Sequence, residues 1–286
     1  MSGRFPGLLP RVKGGAVYFL ILAAGVGAGI WVPYITVLFF ALIAVLMCYE
    51  LLHVMQLKRP ELPLWLAPLG IVPLMSVLFL SRATDALVWS YLLLALMTIL
   101  ASIIHLIRTG PEGLSGATAA AAALFYVFGS FSVVGPLLLY VPRGLRWLLL
   151  ALLAPAVCDV FAYIGGILFG KRRIVPRLSP KKTWGGTVAG TIGAVLLCLT
   201  AFLTFLRQAE LSFLQIMLLA LVTGVCLSLF AQTGDWIASA VKRFTGVKDF
   251  SRIIPGHGGL FDRLDSFLTV LPVVFLLALW LERILA

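Results

Sequence analysis

Residues 239–265 read SAVKRFTGVKDFSRIIPGHGGLFDRLD and form the most polar stretch of an otherwise apolar chain. They hold five of the 22 Lys and Arg residues, three of the 11 Asp and Glu residues and one of the three His residues. Asp262 and Asp265 stand three apart, so they share one face of a helix. Carboxylates, several cations and a glycine-rich turn around His257 are the groups that hold a metal ion and a polyphosphate.

Three carboxylates of this region are the metal candidates: Asp235, Asp262 and Asp265. Proteins commonly hold Mg²⁺ with one or two carboxylates, completed by substrate phosphate oxygens and water. Ion pairing of these acids with neighbouring Lys and Arg at a membrane surface is the alternative. His257 is a candidate for phosphate binding or proton transfer, with a structural role in the turn as its alternative.

The composition indicates an integral membrane protein. The chain has 286 residues, of which 62% are hydrophobic and 12% charged, and its mean hydropathy is +1.09. A soluble domain carries about twice that charged fraction. Repeated apolar runs of about 20 residues cross a bilayer as helices. The net charge of +11 is explained by cytoplasmic loops rich in Lys and Arg, so no nucleic-acid partner is expected.

Hydropathy predicts an all-α, polytopic bundle of about nine transmembrane helices. An inside N-terminus puts 17 basic residues in the cytoplasm and 5 outside, so we expect a cytoplasmic N-terminus and an outside C-terminus. We expect residues 1–142 to form an N-terminal region of five spans, and residues 143–286 to form a C-terminal region of four spans with cytoplasmic polar loops at 170–183 and 232–265. The nine apolar runs are 15–31, 34–56, 63–81, 86–107, 113–141, 145–169, 184–206, 212–231 and 266–285.

Asp159 is an acid inside the sixth apolar run, roughly 15 Å from its cytoplasmic end at 1.5 Å per residue. A carboxylate at that depth is costly and usually faces a partner or a water-filled cavity. Tyr163 and the Gly165-Gly166 pair also favour a lined cavity. A protonated Asp bonded to a neighbouring helix is the alternative.

The loop 171–182, KRRIVPRLSPKK, follows that run. Its charge alone fits a membrane-surface anchor for anionic lipids. Hydroxyls, two lysines and the start of the next helix also offer donors to phosphate. The phosphate-binding candidates here are Ser179, Lys181, Lys182 and Thr183.

These residues together resemble the phosphatidate cytidylyltransferase (CDP-diacylglycerol synthase) family, from about Asp159 to the end of the chain. The first five spans resemble it only in hydropathy. One departure is clear, because Gly185 stands where the family usually has Glu. The signature positions are Ser239, Lys242, Arg243, Lys248, Asp249, Ser251, Pro255, His257, Gly258, Gly259, Asp262, Arg263 and Asp265, with Gly234-Asp235 before them.

The resemblance implies an enzyme that transfers CMP from CTP to phosphatidate, giving CDP-diacylglycerol and pyrophosphate. It implies Mg²⁺ on Asp235, Asp262 and Asp265, with a second cation left open, and Asp159 lining the polar cavity. It also implies a multi-pass protein of the cell membrane with its site facing the cytoplasm. The expected binders of substrate are Ser179, Lys181, Lys182, Thr183, Ser239, Lys242, Arg243, Lys248, Gly258, Gly259 and Arg263.

Other functions stay open on the sequence alone. A transporter with Asp159 as its coupling acid would explain the buried charge but not the His-Gly-Gly and double-Asp cluster. A cytidylyltransferase for another lipid phosphate also fits, whereas the pattern of CDP-alcohol phosphotransferases is absent. The small-residue tract 116–123 would suit a homodimer.

Overall fold

The computed structural model describes residues 8–79, 82–207 and 211–285. Arg4, one of the basic residues used for the orientation, lies outside them, as do the last two residues of the predicted run 63–81. The chain is helical apart from one small sheet in this described part. The predicted all-α membrane fold is confirmed.

Eight of the nine predicted spans are helical stretches long and apolar enough to cross a membrane, counted over the ranges just given. They are Lys13–Ile30, Pro33–Gln56, Asp85–Thr109, Pro111–Tyr140, Gly144–Phe169, Trp184–Leu203, Phe213–Thr245 and Phe261–Glu282. The predicted third span is the exception. It corresponds to a shorter apolar segment, Leu66–Phe79.

The chain divides into two compact units. Among the described residues, one comprises 8–79, 82–139 and 241–264, and the other comprises 140–207, 211–240 and 265–285. The predicted boundary between residues 142 and 143 lies close to the first of these divisions. The segment 241–264 was expected in the catalytic region, yet it is compact with the N-terminal helices.

The first unit is built from helices α1 to α7, with short 3₁₀ and π stretches between them. The helices are α1 Leu8–Gly27, α2 Pro33–Gln56, α3 Leu66–Leu69, α4 Ile71–Met75, α5 Ala83–Thr109, α6 Leu114–Leu124 and α7 Val134–Tyr140. The 3₁₀ stretches are Ala28–Ile30, Ser76–Phe79 and Pro111–Gly113, and a π-helical turn covers Phe125–Gly129. Helix α2 begins at Pro33, whose missing N–H and fixed φ suit a first helical position.

The segment 66–79 is broken because of its own residues. Pro68 and Pro73 lack backbone N–H donors, and a Cβ at Gly70 would lie 2.1 Å from the ring of Phe128. Glu61 just before the segment lies beside Gly116 of α6, and Val77 near its end lies against Gly135 of α7. Irregular backbone is tolerated at membrane depth where protein covers it, but the segment is not one of the eight spans found among the described residues, so a ninth span stays a prediction.

The second unit contains the remaining helices and the sheet: α8 Gly144–Phe169, β1 Arg173–Val175, β2 Ser179–Thr183, α9 Trp184–Leu203, α10 Phe213–Thr245 and α11 Phe261–Leu285. The ends of α10 and α11 after residue 240 and before residue 265 belong to the first unit. The strands pair antiparallel, with Arg173 opposite Thr183 and Val175 opposite Ser179. The predicted loop 170–183 is therefore a hairpin.

The predicted polar loop 232–265 is a loop only at residues 246–260. Helix α10 continues to Thr245, and α11 already begins at Phe261. The helix extends because its polar residues still follow helical spacing, with Asp235, Ser239 and Lys242 on one face. The loop starts at Gly246, whose φ of 81° suits glycine at a helix end.

Helices α8 and α9 pack closely through small residues. A Cβ on Gly165 would lie 2.2 Å from the Cβ of Ala189, and one on Gly186 would lie 2.7 Å from the carbonyl oxygen of Ala162. Close backbone approach of this kind replaces hydrophobic burial as the basis of helix association in a bilayer. It fixes α9, and the hairpin before it, against the helix that carries Asp159.

Candidate active site

A polar cavity of about 480 Å³ lies in the second unit, between α8, β2, α9 and α10. It brings together residues that are more than 70 positions apart in sequence. Six predicted site residues line it: Asp159, Ser179, Lys181, Lys182, Thr183 and Asp235. Asp159 and Tyr163 both lie in the wall of this cavity.

Two residues of the cavity wall form an ion pair. The Nζ atom of Lys182 lies 2.5 Å from Oδ2 of Asp235, and the two side chains are 25% and 31% exposed. The pair is therefore open to a ligand on one side. A phosphate group would find the lysine already held in place by the carboxylate.

Local sequence explains why the lysines lie at this cavity. Thr183 ends β2 and caps α9, since its Oγ1 accepts a hydrogen bond from the N–H of Gly186 at 3.1 Å. Lys181 and Lys182 thus precede the positive end of a helix dipole. An anion bound there would meet both the lysines and this helix end.

A hydrogen-bond network continues from the cavity between α9 and α10. Thr187 donates to Oε1 of Gln232 at 2.8 Å, and Nε2 of Gln232 donates to Ser228 at 3.0 Å. The hydroxyl of Ser228 also pairs with that of Thr191 at 2.8 Å. The sequence reasoning missed these residues, although polar residues repeated within apolar runs are a usable signal.

The loop 246–260 is a second polar region, in the first unit, and Asp262 organises it. Oδ1 of Asp262 accepts from Lys242 at 3.0 Å, while Oδ2 accepts from the N–H groups of Phe250 at 2.8 Å and Gly259 at 3.0 Å. Its side chain is only 6% exposed. Three donors therefore already occupy this carboxylate.

Glu50 is another residue that the sequence reasoning overlooked. It lies buried near the end of α2, inside the second apolar run. Its Oε1 accepts from the Ser251 hydroxyl at 2.6 Å and from the N–H of Leu260 at 3.1 Å, and its Oε2 accepts from the N–H of Phe261 at 2.7 Å. A carboxylate at the first N–H groups of α11 also complements that helix dipole.

The glycines of the predicted His-Gly-Gly turn have distinct reasons to be there. Gly258 has a φ of 83°, a conformation that favours glycine. A Cβ on Gly259 would lie 2.6 Å from the carboxylate oxygens of Glu50. Arg263 fixes the turn from the helix side, because its Nε and one Nη donate to the carbonyl oxygen of His257 at 2.8 and 2.6 Å.

The other predicted residues are distributed as follows. Asp265 is buried, and its Oδ1 accepts from the N–H of Ser266 at 2.6 Å. A Cβ on Gly234 would lie 2.7 Å from the carbonyl oxygen of Asp265, so α10 and α11 are in contact beside Asp235. Ser239 is half-buried, while Arg243 and Lys248 are exposed.

The donor set fits magnesium at the cavity more readily than at the loop. Within residues 8–79, 82–207 and 211–285, no three His, Cys, Asp or Glu side chains gather into a metal-binding group. Mg²⁺ does not need three, because phosphate oxygens and water complete its shell. Asp235 fits this role, since it faces the cavity and its described ion-pair partner is Lys182.

Gly185 occupies a position with no room for a side chain. A Cβ there would lie 2.6 Å from the carbonyl oxygen of Phe169 at the end of α8. The Glu that the resemblance leads one to expect would displace that helix end. In this chain the cavity carboxylates are those of Asp159 and Asp235.

Comparisons with known proteins identify the family. The sequence profile described as "Cytidylyltransferase family" matches residues 13–281. A protein of Staphylococcus saprophyticus named phosphatidate cytidylyltransferase is 33% identical over 250 residues, which cover 85% of this chain and 89% of that protein. One of the same name from Staphylococcus epidermidis is 34% identical with equal coverage. Another, from Staphylococcus haemolyticus, is 42% identical over 146 residues, 50% of this chain and 54% of that protein. The chain belongs to the cytidylyltransferase family.

Proposed function

We propose that this protein is a phosphatidate cytidylyltransferase, which transfers CMP from CTP to phosphatidate. The observation that carries the proposal is the polar cavity with its Lys182–Asp235 pair, flanked by Asp159 and the start of α9. The names of the staphylococcal relatives support the choice of substrates. Membership of an enzyme family also argues against the transporter alternative.

The reaction needs no nucleophile from the protein. A phosphate oxygen of phosphatidate attacks the α-phosphorus of CTP, a new P–O bond forms, and the bond from the α-phosphorus to the bridging oxygen breaks. That oxygen leaves with its electron pair as part of pyrophosphate. Catalysis of this kind consists of positioning and charge neutralisation.

The cavity residues divide this work by charge. Lys181 and Lys182 neutralise triphosphate oxygens, and the N-terminus of α9 contributes its positive dipole end. The hydroxyls of Ser179 and Thr183 are additional donors at the same wall. Asp159 keeps the inner part of the cavity polar, so that a charged headgroup can enter at this depth.

Magnesium would be held by Asp235 together with phosphate oxygens, with Asp159 as the other carboxylate of the cavity. When bound, such an ion stabilises the charge on the leaving pyrophosphate. The predicted roles of Asp262 and Asp265 as metal ligands, and that of a second cation, stay predictions. The geometry of Asp262 supports a different role, holding the loop 246–260 in shape.

The loop 246–260 of the first unit also carries cations. Glu50 and Asp262 fix its backbone, and Lys248 and Arg252 are exposed on it. We infer that these two side chains attract the anionic substrates, which a basic surface does over about 10 Å at ordinary ionic strength. The positive-inside distribution supports a cytoplasmic position for this loop in the cell membrane.

The test is a transfer assay with two labels. The purified protein in detergent is mixed with phosphatidate, Mg²⁺ and CTP labelled on either its α- or its γ-phosphorus. We expect the α-label to move into the lipid phase and the γ-label to stay in water as pyrophosphate. Asp235→Asn serves as the inactive control.

The outcomes separate the remaining alternatives. Transfer to another lipid phosphate but not to phosphatidate would replace the proposed acceptor. Movement of the γ-label into lipid would indicate phosphoryl rather than cytidylyl transfer. Absence of any lipid label, from a preparation that still binds CTP, would contradict the proposed reaction.

A further inference from the structure

A second, apolar cavity of about 700 Å³ lies in the first unit, between α1, α2 and the loop 246–260. Val17 and Ile21 of α1 face Leu42 and Leu46 of α2 across it. Nothing in the reaction proposed above uses this space. It does not share a residue with the polar cavity of the second unit.

Helix α1 touches the rest of its unit near the two ends of this cavity. At one end, a Cβ on Gly25 would lie 2.4 Å from the ring of Phe39, and Thr36 donates to the carbonyl oxygen of Gly25 at 2.7 Å. At the other end, a Cβ on Gly14 would lie 2.3 Å from the carbonyl oxygen of Pro255. Between Gly14 and Gly25, the apolar cavity separates α1 from α2.

The length of this space matches one leaflet of a bilayer. Gly25 follows Gly14 by eleven helical steps, which is about 17 Å at 1.5 Å per residue. A leaflet contributes about 15 Å of hydrocarbon, half of a core about 30 Å thick. A chain lying in this cavity would therefore extend from the headgroup level to near the bilayer midplane.

Charge identifies the headgroup end. Lys13 is exposed and lines the cavity beside Pro255, and the rest of the lining is largely apolar. The His257 ring is close to the same end, because a Cβ on Gly15 would lie 3.1 Å from it. Arg263 in turn holds the carbonyl of His257. A basic end and an apolar body suit an anionic lipid.

We propose that this cavity binds one acyl chain of phosphatidate, with Lys13 at the end of the cavity nearest the membrane surface. The proposal rests on the proposed function for its choice of lipid. It assigns to the N-terminal unit a part in substrate binding, where the sequence offered only hydropathy. Bulk lipid would contact one exposed helix face, whereas this chain would lie in an open groove and contact α1, α2 and the loop together.

The first experiment uses phosphatidate that carries a photoreactive diazirine in one acyl chain. The full-length protein is irradiated with it in detergent micelles, and the labelled peptides are mapped by mass spectrometry. We expect label on α1 around Val17 and Ile21 and on α2 around Leu42 and Leu46. Excess phosphatidate should remove it, while phosphatidylcholine with the same chains should not.

Two results would overturn the proposal. One is label spread evenly over exposed apolar positions such as Leu20 and Leu38, with no enrichment at the cavity. The other is equal competition by phosphatidylcholine, which would make the occupant bulk lipid. Neither the labelling pattern nor the lipid competition depends on turnover. A failed transfer assay would therefore reject the proposed function and leave the photolabelling test intact.

Filling the cavity provides a second readout with matched controls. Leu42 and Leu38 lie on the same helix stripe and are 49% and 47% exposed, but only Leu42 lines the cavity. We expect Leu42→Trp to raise the KM for phosphatidate about tenfold and leave the KM for CTP unchanged. Leu38→Trp should change neither. Ile21→Trp, at the cavity, and Leu20→Trp, outside it, repeat the comparison on α1. Equal effects within both pairs would contradict the assignment of this cavity to an acyl chain.

Discussion

The two polar regions of this protein use the same residue type in opposite ways. In the loop region, the carboxylates of Glu50 and Asp262 each accept three hydrogen bonds and are almost fully buried. In the cavity region, Asp235 is about one-third exposed and pairs with Lys182, while Asp159 faces the same open space. The loop acids hold backbone, and the cavity acids face a potential ligand.

This difference teaches how to divide a cluster of acids into scaffold and site. Asp262 belongs to the signature stretch, yet its oxygens are occupied by the loop's own N–H groups. A carboxylate whose acceptor positions are filled stabilises structure, and removing it leaves buried donors unpaired. A partly exposed carboxylate is held by fewer contacts, so its removal affects ligand binding first.

The largest effect is expected for Glu50→Gln, which tests whether the buried carboxylates of the loop region stabilise the fold. The amide cannot accept from all three donors, so the protein should lose about 3 to 5 kcal/mol of stability. Thermal unfolding in detergent measures this as a lower Tm. Glu112→Gln, at an exposed position of the same unit, is the control and should leave Tm unchanged. An unchanged Tm for Glu50→Gln would contradict the scaffold role.

Asp235→Asn tests the proposed role of the cavity carboxylate in catalysis. We expect kcat/KM for CMP transfer to fall at least 100-fold, about 2.7 kcal/mol, because an acid that handles the leaving pyrophosphate is lost. The Tm should change by no more than a degree or two. Near-wild-type turnover at saturating Mg²⁺ would reject Asp235 as a metal ligand.

Gly185→Ala tests whether α8 and α9 fix the cavity wall. The new Cβ would lie 2.6 Å from the carbonyl oxygen of Phe169, so we expect a loss of about 1 to 3 kcal/mol. Gly27→Ala, where a Cβ meets nothing within 4 Å, is the matched control. If Gly185→Glu were as stable as the parent protein, that result would contradict the close packing of α8 and α9 at this position.

The smallest effect is expected for Lys182→Met. Lys182 holds a phosphate in our account, so the KM for CTP should rise about tenfold, equivalent to about 1.4 kcal/mol. Its neighbour Lys181 is more exposed and should contribute less on substitution by Met. The comparison is made from initial rates at fixed phosphatidate, and equal effects at the two positions would contradict the special role of the ion pair.

Local pattern was sufficient to predict most of the fold. Apolar runs predicted eight spans directly, because length and hydropathy alone decide whether a helix crosses a bilayer. The third run could not be assigned correctly by hydropathy, since Pro68 and Pro73 interrupt the helix without making it less apolar. The predicted polar loop 232–265 is longer than the observed loop 246–260, because polar residues can continue a helix as well as end it.

The candidate site was predictable where its residues form a local motif. Asp159, Lys182 and Asp235 were each identified from spacing or depth, and the cavity brings them together. Glu50 was missed because its partners lie about 200 positions later, and a single acid in an apolar run does not reveal them. The rule that intramembrane acids are functional could have flagged it.

The most direct test of the central claim is the thermal shift on adding CTP and Mg²⁺, measured for the parent protein, Asp235→Asn and Asp262→Asn. A ligand that binds only the folded state raises Tm according to its affinity. We predict that Asp262→Asn starts from a lower Tm but keeps the shift, whereas Asp235→Asn keeps the parent Tm and loses the shift. The reverse pattern would contradict the division into scaffold and site.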